Sequence, residues 1–497
     1  MIFFKKFKNS RFLKNYYFLL KPVAIMSAVY MIAFLAIIRA NFNYNDDLGR
    51  VAFGYKDFLG FSRQTSEYLS GVIHTNNFLA DISPLTTLLS SIILGLASVF
   101  AIFIITKNKK FSFINYILAT LIGLSPYFLE NISYKFDSPY MSLSILAAIF
   151  PFLFFYTKRA FYIISLLCTI IICTSYQAGI GIYISLLLVL IFRDLLEKEI
   201  RFKDILLFGI KGIVPFLLGL IFFKFFMMKP TNANEYVSNS LPGIFEIIPT
   251  FFKNLSNFYS YYFSNYRIVW TLLSVLLLVL SGASITTSKK SELTKAVGLM
   301  CYCALLLMVS LAAFGLYPFL TRPLILPRTM YGLPTSIAFV FVLGVTFVDR
   351  EFFVWLYHII GGALAYCYIV FAFIYGNILY NQNFYANYRI EDIITTLNIE
   401  NILTETTERV AIDGEIGFAP ASRNTMQTFP ILKKLVPKNL CGSSWMWCQY
   451  KFFYYYNISP SLWVNKNDLH ELNKTFDSYL YTIKYSDRDI LITIKDR

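Results

Sequence analysis

The chain has 497 residues, of which 57% are hydrophobic and 15% are charged, whereas soluble domains hold about 25% charged residues. Its mean hydropathy of +0.57 excludes a disordered chain, a secreted disulfide scaffold and an ordinary soluble enzyme. The net charge of +15 does not by itself indicate nucleic-acid binding, because membrane proteins collect Lys and Arg in cytoplasmic loops. The composition predicts an all-α polytopic membrane protein.

The charge divides the chain into two parts. Residues 376–497 hold 13 basic and 13 acidic residues, so the excess of positive charge lies entirely in residues 1–375, where the apolar runs are. We therefore predict a transmembrane domain over 1–375 and a neutral, polar C-terminal domain over 376–497.

About eleven apolar runs approach the ~20 residues that a spanning helix needs. They cover roughly 20–40, 84–106, 111–128, 139–156, 160–176, 178–192, 205–228, 267–285, 296–316, 329–348 and 353–375. Alternate loops are rich in Lys and Arg: Lys107, Lys109 and Lys110 follow the second run, and Lys158 and Arg159 follow the fourth. The positive-inside rule places these loops in the cytoplasm. The N-terminus is then cytoplasmic, and an odd number of spans puts the C-terminal domain outside.

The C-terminal domain is predicted to be a small mixed α/β domain. Residues 407–418 read as a strand that enters a turn at Asp413 and Gly414. Residues 479–496 alternate apolar and polar side chains around a polar centre, which predicts a β-hairpin. Residues 390–403 carry apolar side chains at helical spacing.

The cysteines fall into two groups. Five lie inside apolar runs and read as small core side chains: Cys168, Cys173, Cys301, Cys303 and Cys367. Cys441 and Cys448 lie in the polar domain instead. If that domain is in an oxidising compartment, they are expected to form a disulfide.

Candidate functional residues begin directly after the first apolar run, in NYNDDLGR (43–50). Charges at a membrane edge are costly and therefore suggest function. Asp46 and Asp47 are adjacent carboxylates, and a neighbouring carboxylate raises one pKa, which suits a general base. Arg50 lies one turn further along the chain. The alternative is that these residues cap a short helix.

A second acidic and basic cluster, LENISYKFDSPY (129–140), stands on the same predicted side. It contributes Glu130 and Lys135 as substrate-binding candidates and Asp137 as a further catalytic carboxylate. Asp137 precedes a Ser-Pro pair that favours a helix start, so capping is the alternative interpretation.

Two further polar segments lie on this side. Gln177, in TSYQAG, stands at a turn where it can contact a sugar hydroxyl or serve only as a loop amide. Arg322 and Arg328, in LTRPLILPRTMYG, suit a lipid phosphate, which guanidinium groups bind bidentately. The alternative for both arginines is contact with lipid headgroups.

The three histidines, His74, His358 and His470, form no HExxH pattern and no Ser/His/Asp or Cys/His order. The sequence therefore supports neither metallohydrolase nor triad chemistry. Carboxylates and arginines beside a membrane instead suit transfer from a lipid phosphate, because a phosphate ester leaves without a general acid and needs a base and cations.

Three of these segments carry a resemblance to a known family. YNDDLGR (44–50), SYKFDSPYMSLSILAAIFP (133–151) and SYQAGIGIYI (175–184) are similar to the phage-type serotype-converting O-antigen glucosyltransferases, the Gtr family. The similarity covers roughly residues 40–375, and the first motif is the most specific.

The resemblance implies an inverting glucosyltransferase of GT-C-like architecture in the bacterial inner membrane. Its donor would be undecaprenyl-phosphate glucose, and its acceptor the O-antigen of lipopolysaccharide on the periplasmic face. The base of GT-C enzymes is an acidic residue of the first outer loop, which implies Asp46 or Asp47 here. Because Asp46-Asp47 is not a D-x-D motif, no metal ligand and no cofactor are assigned, and no nucleic-acid partner is expected.

Two other classes of function remain as alternatives. A transporter or flippase for a lipid-linked glycan fits the composition, but transporters place their sites at mid-membrane on broken helices, whereas these charges cluster at helix ends. A membrane O-acyltransferase commonly uses a His, and the sequence places no His beside the acidic segments.

Overall fold

The computed structural model describes residues 17–197, 202–228, 240–291, 293–438 and 450–495. Most of the described chain is helical. In chain order the α-helices are α1 (Leu20–Ala33), α2 (Leu35–Ala40), α3 (Asp46–Phe53), α4 (Gln64–Ile73), α5 (Leu85–Thr106), α6 (Phe113–Leu124), α7 (Leu129–Ser133), α8 (Ser138–Ile149), α9 (Lys158–Ser175), α10 (Ile180–Glu197), α11 (Phe202–Phe222), α12 (Ile247–Asn265), α13 (Ile268–Thr287), α14 (Lys295–Ala312), α15 (Pro327–Met330), α16 (Gly332–Thr346), α17 (Glu351–Ile399), α18 (Arg423–Thr428) and α19 (Leu432–Leu435).

Seven helical stretches within the described residues are long and apolar enough to cross a membrane. They are Leu85–Thr106, Gln177–Glu197, Lys203–Met227, Ile268–Thr287, Lys295–Ala312, Pro327–Thr346 and Glu351–Ile399. Four shorter apolar helices are Tyr17–Ala33, Phe113–Leu124, Ser138–Phe154 and Arg159–Ser175. The predicted apolar runs thus fall on helices, and the chain has the character of a helical membrane protein. That eleven of them span a bilayer stays a prediction.

Short helices and turns follow the first apolar run and shape the region of the acidic motif. α2 ends at Ala40 and is followed by Asn41, whose φ of 44° lies in the left-handed region that Asn tolerates better than most residues. α3 begins at Asp46 and ends at Phe53, and it is followed by Gly54, where φ is 67°. The short segment between α2 and α3 therefore places Asp46 and Asp47 at the start of a helix.

The long helix α17 has 49 residues, which at 1.5 Å per residue is about 74 Å and far exceeds the ~30 Å hydrocarbon core. It crosses α2 near its midpoint, where a Cβ atom at Gly376 would lie 2.4 Å from the backbone carbon of Ala36. Glycine permits this close crossing of α17 and α2. The helix runs through residue 375, where we predicted a domain boundary, and the division into two domains stays a prediction.

The C-terminal domain contains a four-stranded sheet of order β1-β4-β3-β2. The strands are β1 (Arg409–Asp413), β2 (Lys474–Asp477), β3 (Tyr481–Tyr485) and β4 (Asp489–Ile494). β3 and β4 form the predicted antiparallel hairpin, and β1 is the predicted strand, which pairs with β4 in parallel. The last turns of α17 supply Ile390, Ile393 and Leu397 to the core beneath the sheet. The predicted mixed α/β character is confirmed.

The C-terminal domain packs on the end of the bundle that carries α3, which we call the α3 end. The Tyr44 hydroxyl donates a 2.6 Å hydrogen bond to the carbonyl of Leu435. The Phe429 ring lies 6.1 Å from Trp270 and 5.4 Å from Phe371. At the opposite end of the bundle, Lys107 pairs with Asp194 and Glu197 at 3.0 and 2.7 Å.

Candidate active site

Asp47 is buried and fixes the backbone of two segments. Its Oδ2 accepts hydrogen bonds from the backbone N–H of Tyr44 at 3.1 Å and of Lys135 at 2.9 Å, while its Oδ1 is buried without a hydrogen-bond partner. Burial raises the pKa of Asp47 to about 7, and the Asp137 charge adds to this, whereas Arg50 and the two N–H donors oppose it. Asp47 therefore joins the first acidic motif to the second.

Arg50 and Asp137 form an ion pair between the same two motifs. Arg50 Nη1 lies 2.6 Å from Asp137 Oδ1, and the two side chains are 5% and 4% exposed. The guanidinium also stacks 4.7 Å above the Phe58 ring. A buried charge is tolerated when it is paired and hydrogen-bonded, so Asp137 holds the Arg50 side chain in place. The alternative that Asp137 caps α8 through its side chain is not supported, because no such hydrogen bond is formed.

A second pairing joins the 129–140 segment to α15. Arg328 donates from its backbone N–H to Glu130 Oε2 at 2.7 Å and from Nη1 to Glu130 Oε1 at 3.2 Å. Nη1 also donates to the Tyr134 hydroxyl. Burial raises the pKa of Glu130, and the Arg328 charge and hydrogen bonds oppose that rise. Part of the Arg328 charge is thus compensated within the protein.

Asp46 differs from its neighbours because it is partly exposed. Among the described residues it has no hydrogen-bond or ion-pair partner. Its pKa is raised mainly by burial and further by Asp137, while the positive charges of Arg50, Arg328 and Arg63 oppose the rise. Asp46 is therefore an unpartnered carboxylate of increased basicity, on which the charges of three guanidinium groups act.

Lys135 forms polar contacts with the start of the first motif and with the segment that precedes α5. Its Nζ donates to Asn43 Oδ1 at 2.7 Å and to Asp81 Oδ2 at 3.2 Å. Asn43 in turn donates from Nδ2 to the Tyr455 hydroxyl at 2.8 Å. The C-terminal domain thus takes part in the polar surroundings of the first motif.

Two residues of this region were not predicted from the sequence. The Arg63 guanidinium stacks 5.0 Å above the Tyr176 ring, and both Arg63 Nε and the Tyr176 hydroxyl are buried without hydrogen-bond partners. The predicted Gln177 follows Tyr176 directly, and the turn that holds it contacts α15, which carries Arg328. Unpaired buried donors of this kind are groups that a bound substrate would satisfy.

Three predicted residues lie apart from these pairings. Arg322 is exposed, so the expected pair of arginines does not form a joint buried clamp with Arg328 in this structure. Cys441 and Cys448 lie outside the described residues. No group of three or more His, Cys, Asp or Glu side chains in the described part of the chain is placed to hold a metal ion.

The comparisons with known proteins agree with the resemblance seen in the motifs. The model of the family described as glucosyl transferase GtrII matches residues 35–345, which is more than half of the chain and includes both acidic motifs and α15. The chain belongs to the GtrII glucosyltransferase family. Membership makes it a glycosyltransferase, which implies a sugar donor and a glycan acceptor. The part of this GtrII-family protein that lies beyond residue 345, including the sheet, is outside the match.

One curated relative extends the similarity along most of the GtrII-family chain. An uncharacterised 55.3 kDa protein in the gtrB 5′ region of Salmonella phage P22 is 25% identical over 425 residues, which are 81% of this chain and 84% of the relative. No solved structure matches the chain.

Proposed function

We propose that the protein transfers glucose from an undecaprenyl-phosphate-linked donor to the O-antigen of lipopolysaccharide at the periplasmic face of the bacterial inner membrane. The observation that carries this proposal is the position of Asp46. It is a partly exposed, unpartnered carboxylate of raised pKa inside a cluster whose other carboxylates are bonded to protein groups. Family membership supplies the reaction class.

Asp46 acts as the general base. The acceptor hydroxyl oxygen attacks C1 of the donor sugar while its proton moves to the Asp46 carboxylate. The bond between C1 and the phosphate oxygen breaks, and its electron pair leaves with the lipid phosphate. Attack from the face opposite the phosphate inverts the configuration at C1. The proton then passes from Asp46 to water, which restores the base.

Aromatic side chains lie near Asp46, where we propose that the acceptor binds. The Asp46 charge acts on the hydroxyls of both Tyr55 and Tyr450, and a Cβ atom at Gly49 would lie 2.5 Å from the Tyr55 hydroxyl and 2.7 Å from the Tyr450 ring. Tyr450 belongs to the C-terminal domain. Its position next to the base supports a role for that domain in holding the glycan acceptor, because aromatic faces pack against the apolar face of a sugar.

The topology in this proposal places the N-terminus in the cytoplasm and the C-terminal domain in the periplasm. Two observations support it. The C-terminal domain packs on the α3 end with the acidic motifs, and the loop that carries Lys107 lies at the opposite end, in contact with Asp194. The positive-inside rule assigns the Lys-rich end to the cytoplasm.

The proposal is tested by incubating membranes that contain the protein with undecaprenyl-phosphate glucose and O-antigen. Mass and linkage analysis of the O-antigen is expected to show one added hexose with the wild-type protein and none with Asp46→Asn. If the wild-type protein leaves the O-antigen unchanged while the donor is intact and the protein is inserted, the proposed function is wrong.

A further inference from the structure

A groove at the α3 end lies between helices of the bundle. It encloses about 280 Å³. Ile37 and Ile38 of α2, Leu379 of α17 and Thr87 of α5 line its walls, and Lys135 and Ser133 line its polar part. Leu35, on the same short helix, is 51% exposed, so α2 separates the groove from the surface that faces lipid.

A chain of polar contacts joins the groove to the C-terminal domain. Lys135 donates to Asn43, which donates to the Tyr455 hydroxyl. The Lys451 ammonium lies 4.6 Å above the centre of the Tyr455 ring. Asn43 and Tyr455 therefore link two ammonium groups that come from distant parts of the chain.

The two ammonium groups act on each other through space. Burial lowers the pKa of Lys451 to about 8, the positive charge of Lys135 lowers it further, and Glu391 opposes these effects. Asp81 compensates part of the Lys135 charge, although its side chain is 33% exposed. An anion bound near both lysines relieves their mutual repulsion, and Lys is a common phosphate ligand in proteins.

We propose that this groove, the lysine groove, binds the phosphate of an isoprenoid-phosphate lipid at Lys135, with the isoprenoid chain along Ile37, Ile38 and Leu379 and with Lys451 adding positive charge from behind Tyr455. The inference rests on the proposed function, because it names where the lipid carrier of the sugar lies. A chain-bearing phosphate fits the groove better than free phosphate, since apolar walls adjoin the cations and burial of apolar surface favours binding.

The position of the groove connects it to the candidate base. Lys135 contributes an ammonium to the groove and a backbone N–H to Asp47, and Asp47 is next to Asp46 in the chain. A phosphate at Lys135 therefore lies beside the segment that carries the base. Arg328 is a weaker candidate for the same phosphate, because its carboxylate partner Glu130 is only 4% exposed, whereas Asp81, the partner of Lys135, is 33% exposed and more easily replaced by another anion.

The test measures binding of farnesyl phosphate to the purified full-length protein in detergent, without a sugar donor. We expect saturable binding of farnesyl phosphate, and much weaker binding of farnesol or inorganic phosphate alone. Lys135→Ala is expected to weaken binding about tenfold or more, because it removes a charge-assisted hydrogen bond. Lys451→Ala is expected to weaken binding less, because it removes only a charge that acts through space. Ile38→Trp, which fills the groove and leaves both cations, is expected to reduce binding as well.

Lys466→Ala provides the matched control, because Lys466 belongs to the same C-terminal domain but pairs with Asp413 away from the groove. Thermal unfolding of each variant identifies those that fail to fold. Wild-type affinity in folded Lys135→Ala and Lys451→Ala, a selective loss in Arg328→Ala, or equally tight binding of phosphatidylglycerol would each overturn the proposal. If binding depends on both lysines but the protein transfers no glucose, the proposed lipid-phosphate site is retained and the proposed function is wrong.

Discussion

Asp46 and Asp47 are adjacent in the sequence but lie in different environments. Asp47 accepts two backbone hydrogen bonds and is fully buried, so its carboxylate holds the two motifs together. Asp46 is partly exposed and free of such bonds. The sequence left open which of the two is the base, and the contacts favour Asp46 for proton transfer and Asp47 for positioning.

The first prediction compares Asp→Asn changes at these positions. Asn keeps the size of the side chain but removes its basicity, so Asp46→Asn is expected to lower glucose transfer by about 10²-fold or more. Asp47→Asn keeps an oxygen acceptor for both N–H donors and is expected to retain most activity. Glucose transfer is measured together with expression and membrane insertion.

Asp57→Asn serves as the control for this series, because Asp57 is an exposed carboxylate that follows α3. If Asp46→Asn and Asp47→Asn both transfer normally while Asp137→Asn is inactive, the base is Asp137. Normal transfer in all three variants would exclude a carboxylate base at this site.

The second prediction concerns pH. A base must be ionised to accept a proton, so kcat/KM is expected to fall as pH decreases through the raised pKa of Asp46, above the ~3.9 of an unperturbed Asp. The facing charges are Arg50, Arg63 and Arg328, which lower this pKa, and Asp137, which raises it. Arg63→Gln removes one positive charge and should move the acid limb to higher pH. An acid limb unchanged in Asp46→Asn would assign it to another group.

The third prediction concerns the pair of Arg328 and Glu130. Removing Arg328 leaves Glu130 buried without its cation, which costs about 3–5 kcal/mol of stability. Arg328→Ala should therefore unfold at lower temperature, and adding Glu130→Gln should recover part of the loss. Arg322→Ala is the matched control, because an exposed side chain typically contributes within about 0.5 kcal/mol. Thermal unfolding in detergent is measured for the wild-type protein, Arg328→Ala, the double variant with Glu130→Gln, and Arg322→Ala.

The Arg328 variants also test the prediction that this arginine binds a lipid phosphate. If Arg328→Ala keeps wild-type stability but loses donor use, and Arg328→Lys restores it only partly, the arginine binds the phosphate itself. If stability and activity fall together and Glu130→Gln rescues both, Arg328 acts by holding its segment.

The sequence was sufficient to select the charged residues of the candidate site, but it did not show which of them pair with each other. Each candidate stood out as a charge beside an apolar run, yet Arg50 and Asp137, or Glu130 and Arg328, meet only in the folded chain. Arg63 was missed because it lies in a polar loop without a recognisable motif. Tyr176 was missed because it is one of 36 tyrosines, most of which serve packing.

At the scale of helices and strands, the hydrophobic pattern was sufficient to predict an element that has one dominant apolar face. The apolar runs and the alternating hairpin of β3 and β4 were predicted for this reason. α12 (Ile247–Asn265) was missed because it lies between the predicted apolar runs at 205–228 and 267–285, and its polar residues interrupt any long apolar run. The continuity of α17 through residue 375 was missed because the change in composition suggested a boundary, whereas helical hydrogen bonding continues across it.

The fourth prediction tests the crossing of α17 and α2. Gly376→Leu places a side chain where the backbone of Ala36 already lies, so the helices must separate, and a loss of about 1–3 kcal/mol or more is expected. Gly362→Leu is the control, because the same helix has open space at that position. Thermal unfolding should fall for Gly376→Leu and change little for Gly362→Leu. Equal behaviour of both variants would contradict the close crossing.

At the scale of the whole molecule, the C-terminal domain and the acidic motifs form one end of the protein. The Tyr44 hydroxyl donates a hydrogen bond to Leu435 of the C-terminal domain, and the Phe53 ring meets the Tyr454 ring edge to face, with the ring centres 4.3 Å apart. The side of the membrane on which this end lies therefore decides where the chemistry takes place. A donor and an acceptor exposed on the periplasmic face can be used only if the C-terminal domain is periplasmic.

The last prediction is this orientation. A reporter that is active only in the periplasm is fused after residue 497 in one protein and inserted near Lys109 in another. The positive-inside rule, applied to the Lys-rich loops of the opposite end, predicts activity at residue 497 and none near Lys109. A cytoplasm-active reporter at the same two positions should give the reverse pattern and controls for expression. A silent periplasmic reporter at residue 497, together with an active cytoplasmic one there, would place Asp46 on the cytoplasmic side. Transfer to a periplasmic acceptor would then be impossible at this site, because the C-terminal domain and Asp46 share the α3 end.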